Sequence, residues 1–194
     1  CKLNNNNRNI GYAKKNIGND YYRSLIGLEI TNMLRGNMSF IYNDEYMVTQ
    51  YQGKDLEDSP EIFSKKEFAY ELGVDEAYRN ILGFHDTKAA NHAYDNNRVL
   101  TFDLESILKK YLDIFNSLRI ETYPNLHLLN LKSYNEGIND GEKIIKSQII
   151  QNIDNFTKII RLIEDNHIDY IMSIKKNKFG KPVFFDHVKE FLSK

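Results

Sequence analysis

The sequence predicts a mainly α, single-domain helical bundle carrying one small β-hairpin. Three observations predict it. Apolar residues recur at three- and four-residue steps through several long stretches, as they do along one face of an amphipathic helix. One short stretch, Phe40-Ile41-Tyr42 and Tyr46-Met47-Val48-Thr49 on either side of Asn43-Asp44-Glu45, instead has the aromatic and β-branched make-up of two paired strands. And 194 residues with 41% hydrophobic content are enough to enclose one core.

Residues 1–18 are expected to form a flexible tether, and residues 19–194 a single helical domain. Asn4 to Asn7 and Asn9 leave almost nothing to bury, Gly11 and Gly18 loosen the backbone, and Lys14-Lys15 keep it hydrated. The first helix should start at Asn19-Asp20, where a side-chain oxygen caps free N–H groups. Tyr22, Leu25, Ile26, Ile30, Met33 and Leu34 would be its inner face and Gly36 its stop. The hairpin follows, its tyrosines keeping their hydroxyls in water.

Ser59-Pro60-Glu61 opens a helical region with proline at the first turn, where its missing N–H is not needed. Ser64-Lys65-Lys66-Glu67 has the pattern of a capping box, Gly73 reads as a stop, and Asp75 as the cap of a second helix from Glu76 to Leu82. Ser64 to Leu82 therefore partly matches a helix-turn-helix. Arg79 stands where that motif wants an apolar residue, and Asp75-Glu76 would face phosphate.

A helix is expected at Thr87 to Asn96, capped by Asp86. His85 and His92 lie seven residues apart and would share its face near Asp86 and Asp95, so a metal-dependent hydrolase is a conceivable alternative. The same histidines read more readily as structural or surface residues than as ligands. Leu104, Ile107, Leu108, Tyr111, Leu112, Phe115 and Leu118 predict a central core helix. Burying such a row is worth on the order of 10 to 20 kcal/mol before chain entropy is subtracted.

Leu118 to Lys132 reads as a connection with His127 packed among leucines, and Asn135-Glu136-Gly137 as a loop. The longest helix should run from about Asn139 to Asn166, with isoleucines wide enough around it to be covered on two sides. A turn at Asn177 to Pro182 and a last helix carrying Phe184, Val188, Phe191 and Leu192 complete five to seven helices.

Charge and motifs narrow the function. Lys plus Arg total 26 against 27 Asp plus Glu, a net charge of −1, which argues against a nucleic-acid partner. There is no glycine-rich phosphate loop, no Gly-x-Ser-x-Gly elbow and no internal cysteine for a nucleophile or zinc site. Asp186-His187 is accounted for as the polar face of the last helix. No catalytic residue, metal ligand or cofactor is assigned, and the chain is expected not to be an enzyme.

The remaining signal is Cys1, the single cysteine in the sequence. With its Asn/Lys-rich continuation and an isoleucine-rich helical body, the chain resembles surface lipoproteins of Borrelia-type spirochaetes. The resemblance implies lipidation at Cys1, a membrane contact made through that lipid, and a place on the outer face of the bacterial outer membrane. It also implies a cell-surface role such as binding host extracellular proteins or evading host defences, and carries over no binding residue.

Overall fold

The computed structural model describes residues 2–5, 8–15, 19–36, 40–42, 45–50, 54–56, 59–82, 91–95, 97–101 and 125–158. The fold is mainly α. Helices α1 (Asn19–Arg35), α2 (Lys66–Leu82) and α3 (Leu131–Gln151) form its frame, with further helical turns at 153–158. The expected core helix at Leu104 to Leu118 and everything after residue 158 lie outside the described residues.

The hairpin is present: β3 (Phe40–Tyr42) pairs antiparallel with β4 (Tyr46–Gln50), Tyr42 opposite Met47. It is larger than expected, because β1 (Lys2–Asn5) and β2 (Arg8–Lys15) join it in the order β1-β2-β4-β3. The stretch read as a tether is thus paired backbone, with Lys15 opposite Tyr46 and Gly11 opposite Gln50. The open edge of β4 supplies the reason: an unpaired row of N–H and C=O groups recruits whatever strand can reach it, and side-chain polarity does not prevent that. A second antiparallel sheet runs β5-β6-β7, from Lys54–Asp55, His92–Asp95 and Arg98–Thr101. His92 to Asp95, expected as helix, is therefore strand. The turn after it holds Asn97 at φ 60°, a left-handed conformation asparagine tolerates.

Helix α1 has the predicted ends. Gly36 sits at φ 63° and donates its N–H to the Asn32 carbonyl at 2.8 Å. Its buried face is turned from the predicted one, to Tyr21, Ser24, Leu28, Thr31 and Arg35 together with Ile30 and Leu34. Leu25, Ile26 and Met33 are only partly buried. The polar pair Thr31 and Arg35 points inward because α2 offers each a partner.

Pro60–Ile62 forms a short 3-10 turn with proline leading, as expected. Ser64 is not a capping-box residue, since its hydroxyl turns back to the Glu61 carbonyl at 3.2 Å. The largest departure comes next: Gly73 stops nothing, and α2 runs unbroken through it to Leu82. At the other end of the pair, α3 begins eight residues early, capped by Asn130, whose side chain accepts from the Ser133 N–H at 3.0 Å. The expected loop at Asn135 to Gly137 lies inside this helix.

One contact explains both departures. A Cβ on Gly73 would stand 2.1 Å from the Tyr134 carbonyl oxygen, and one on Gly137 would stand 2.0 Å from that of Tyr70. A Cβ on Gly141 would fall 2.9 Å from Ala77 Cβ and 2.9 Å from Val74 Cα. The glycines are therefore where the two helix backbones touch, and the packing gained offsets the roughly 1 kcal/mol that glycine costs inside a helix. Beside the crossing, Phe63 meets Phe68 at 5.0 Å and Phe68 meets Tyr94 edge-on at 5.2 Å, in a core shared with Leu56, Leu72, Val99 and Leu129. Helix α3 buries a single stripe there, Tyr134, Gly137, Gly141, Ile145 and Ile149. Ile144, Ile150 and Ile153 stay 39%, 54% and 44% exposed, so among the described residues the expected two-sided covering is not found.

Gly73→Ala or Gly137→Ala should each lower unfolding free energy by about 3 kcal/mol, the upper end for over-packing. Gly36→Ala, with its nearest neighbour 3.9 Å away, should cost only about 1 kcal/mol for its positive φ. Urea denaturation of the three variants would measure the order. Equal costs would mean that the crossing is not the tight point described.

Candidate functional site

The helix-turn-helix expectation fails on geometry, because Ser64 to Leu82 contains one continuous helix from Lys66 and no turn to set a second helix into a groove. His85 and Asp86 lie outside the described residues. His92 is in β6 with its imidazole sealed from solvent, Asp95 is on the same strand, and His127 is exposed on a 3-10 turn instead of packed among leucines. Among the described residues, no three His, Cys, Asp or Glu side chains come together to hold a metal. No helix among them is long and apolar enough to cross a membrane.

The polar chemistry gathers instead on the side of α2 that faces away from the glycine crossing. At 100° per residue, Asp75 points about 200° from Gly73, with Glu71 and Arg79 about 40° and Tyr78 about 60° to its sides. A lone surface helix would offer this stripe to water. Here α1 and the β5-β6-β7 sheet cover it, leaving Asp75, Glu76, Arg79 and His92 exposed by only 1%, 3%, 1% and 0%.

Inside that space the charged groups pair with one another. The Arg79 Nε donates to Asp75 Oδ2 at 2.8 Å, and its Nη2 lies 2.7 Å from Glu76 Oε2. The Thr101 hydroxyl of β7 donates to Asp75 Oδ1 at 3.0 Å, and His92 Nε2 stands 3.8 Å from Asp75 Oδ2. One turn earlier, Arg35 of α1 donates to Glu71 Oε1 at 2.8 Å and reaches the Val99 carbonyl at 3.5 Å. Tyr78 is hydrogen-bonded to Thr31, and burial pushes its phenol well above the usual range. Burial likewise raises Glu71, against the pull of Arg35. An acid beside a histidine and a hydroxyl is a familiar catalytic grouping, but a substrate must reach the imidazole. With His92 fully enclosed, the group acts as a strut between α2 and the sheet.

The sequence carried only part of this signal. Asp75, Glu76 and Arg79 stand at spacings of three and four, which any solvated helix face also shows. The partners Thr101 and His92 join from a sheet whose pairing no local pattern announces.

Among the described residues, a depression of about 440 Å³ lies open at the start of α2, lined by Lys66, Glu67, Tyr70, Glu71, Asn97 and Ser133. It is built where the first turns of α2 and α3 meet the β6-β7 turn. The Tyr70 hydroxyl donates to Asp140 Oδ2 at 3.2 Å, and burial together with that carboxylate raises its phenol. The Tyr94 hydroxyl donates to Asn97 Oδ1 at 3.2 Å. Arg98, 4.0 Å from Glu71, is lowered mainly by burial and then by Arg35. Lys66, Glu67 and Asn97 are exposed, so the lining is polar, charged of both signs and shallow. Comparison of the chain with protein-family models, curated proteins and solved structures finds no match.

Arg79→Leu should destabilise the domain by about 3 to 5 kcal/mol, since it strands two enclosed carboxylates. Arg98→Leu, whose side chain is 40% exposed, should cost no more than about 1 kcal/mol. Chemical denaturation of the pair would settle it, and similar losses would show that the Asp75 cluster is not sealed.

Proposed function

We propose that this domain is a non-catalytic interaction module that binds extracellular macromolecules, held on a bacterial surface by lipid at Cys1. The observation that carries the binding half is the division of its polar groups. Those with the chemistry for proton transfer are closed inside and spent on one another, whereas the open depression presents Lys66, Glu67 and Asn97 beside Tyr70. A shallow, mixed-charge surface with an aromatic wall suits the rim-and-anchor contacts of a protein partner better than it suits a small molecule, which needs a deep and largely apolar pocket.

The anchored half rests on Cys1 as the acyl acceptor. Two acyl chains, at about 0.8 kcal/mol per buried methylene, would hold it stably where one would not. With β1 starting at Lys2, the anchor would lie next to the β1-β2-β4-β3 sheet. The metal-dependent hydrolase gains nothing from His92, which is enclosed in the strut.

The binding surface is tested by capture of serum and matrix proteins on the purified domain. A Lys66→Ala, Glu67→Ala, Asn97→Ala variant should keep its circular dichroism and lose at least about tenfold in affinity for a captured partner, equivalent to about 1.4 kcal/mol. Unchanged capture would remove the depression as the contact. Separately, expression from the full gene with labelled palmitate should mark the protein, and Cys1→Ala should abolish the label.

A further inference from the structure

The depression at the start of α2 has a cation at its edge whose hydrogen-bonding capacity the described fold leaves unused. Arg98 opens β7, next to Asn97 and 4.0 Å from Glu71, and both of those residues line the depression. Arg35 already holds Glu71 at 2.8 Å, so the carboxylate nearest Arg98 is engaged by another guanidinium. Asp95, opposite Arg98 in the β6-β7 pairing, lies beyond ion-pair distance. Among the described residues, the Arg98 side chain therefore makes one long contact and no hydrogen bond.

The side chain is nonetheless only 40% exposed. Burial and then Arg35 hold its pKa below the usual value, against the pull of Glu71, as expected of a cation that has lost part of its water and gained no close acceptor in return. Its approach to Glu71 is through Nε, which leaves the edge formed by Nη1 and Nη2 without an acceptor. That edge is a fork for a carboxylate, matched to it in shape and able to donate two parallel charge-assisted bonds.

We propose that Arg98 is the anchor of the partner contact and that the partner meets it with a carboxylate from an acidic stretch of its own chain. The inference rests on the depression being the binding surface, and it names what that surface takes. Lys66 and Glu67 on the lining oppose each other in sign, so the fork, and not the overall field, carries the selectivity. A guanidinium whose stem is already partly packed also loses little freedom on binding, which favours arginine over lysine at such a point.

The test titrates the whole 15N-labelled chain with a hexaglutamate peptide and, separately, with hexalysine, in low salt so that screening does not mask the contact. With hexaglutamate the Arg98 Nε–H signal, identified by its loss in Arg98→Gln, should shift and saturate together with the Asn97 amide, while enclosed Arg79 stays in place. Hexalysine should leave both signals where they are. Arg98→Gln, read at the Asn97 amide, should weaken hexaglutamate binding at least about tenfold, and Arg98→Lys should not restore it. No shift with hexaglutamate, an equal shift with hexalysine, or full binding by either variant would overturn the proposal. The wild-type shifts decide alone if a variant loses its circular dichroism. For a captured partner, loss by the Lys66→Ala, Glu67→Ala, Asn97→Ala variant without loss by Arg98→Gln would keep the depression and sink the acidic preference, whereas loss by neither would remove the depression itself.

Discussion

The contact on which this domain depends is the meeting of two backbones at Gly73 and Gly137. With no Cβ on either residue, α2 and α3 approach until the carbonyls of Tyr70 and Tyr134 lie against the glycines, and Gly141 continues the seam along Val74 and Ala77. Dispersion falls off steeply with distance, so a seam of this kind gains packing that larger side chains would forfeit by holding the helices apart. It also fixes the rotation of α2 about its axis. Once the glycine side faces α3, Asp75 and Arg79 must face α1 and the sheet.

That rotation is what turns a polar stripe into an interior. Helix α2 is covered on nearly all sides, although its sequence has the charge content of a surface helix. The fold manages this by matching each inward charge with a nearby one: Arg35 with Glu71, and Arg79 with Asp75 and Glu76. Ion pairs of this sort add less to stability than their Coulomb energy suggests, because desolvation consumes most of it. Their main effect is on register, since a sheet shifted by one residue would turn the Thr101 hydroxyl away from Asp75 and leave a carboxylate short of a donor.

A consequence for function is that the residue types usually searched for in a site are poor guides here. The histidine, the aspartate and the arginine that suggest chemistry are enclosed in the frame, and the open depression is lined by ordinary groups, among them Lys66, Glu67, Asn97 and Ser133. Such a surface has no motif. It is assembled from three segments far apart in the chain and acquires its shape only when the glycine seam brings the starts of α2 and α3 beside the β6-β7 turn.

The sequence by itself determined the helical character, the placement of α1 with its Gly36 stop, the proline-led turn at Pro60 and the pairing of Phe40–Tyr42 with the strand from Tyr46. Each of these is encoded locally, in periodicity, capping chemistry or turn composition, so neighbouring residues suffice to read it. Tertiary structure decided the rest. Glycine ends helices when the next residue must turn and continues them when another backbone pays for its presence, and nothing beside Gly73 or Gly137 in the chain tells the two apart. Polar residues at helical spacing mark a solvated face unless partners from elsewhere arrive to meet them, which is why the inward turn of Thr31 and Arg35 on α1 was not legible. Arg8 to Lys15 lacks the composition of a buried strand and still pairs, because the demand comes from the unfilled edge of β4. In each case the deciding partner is distant in sequence, and only folding brings it near.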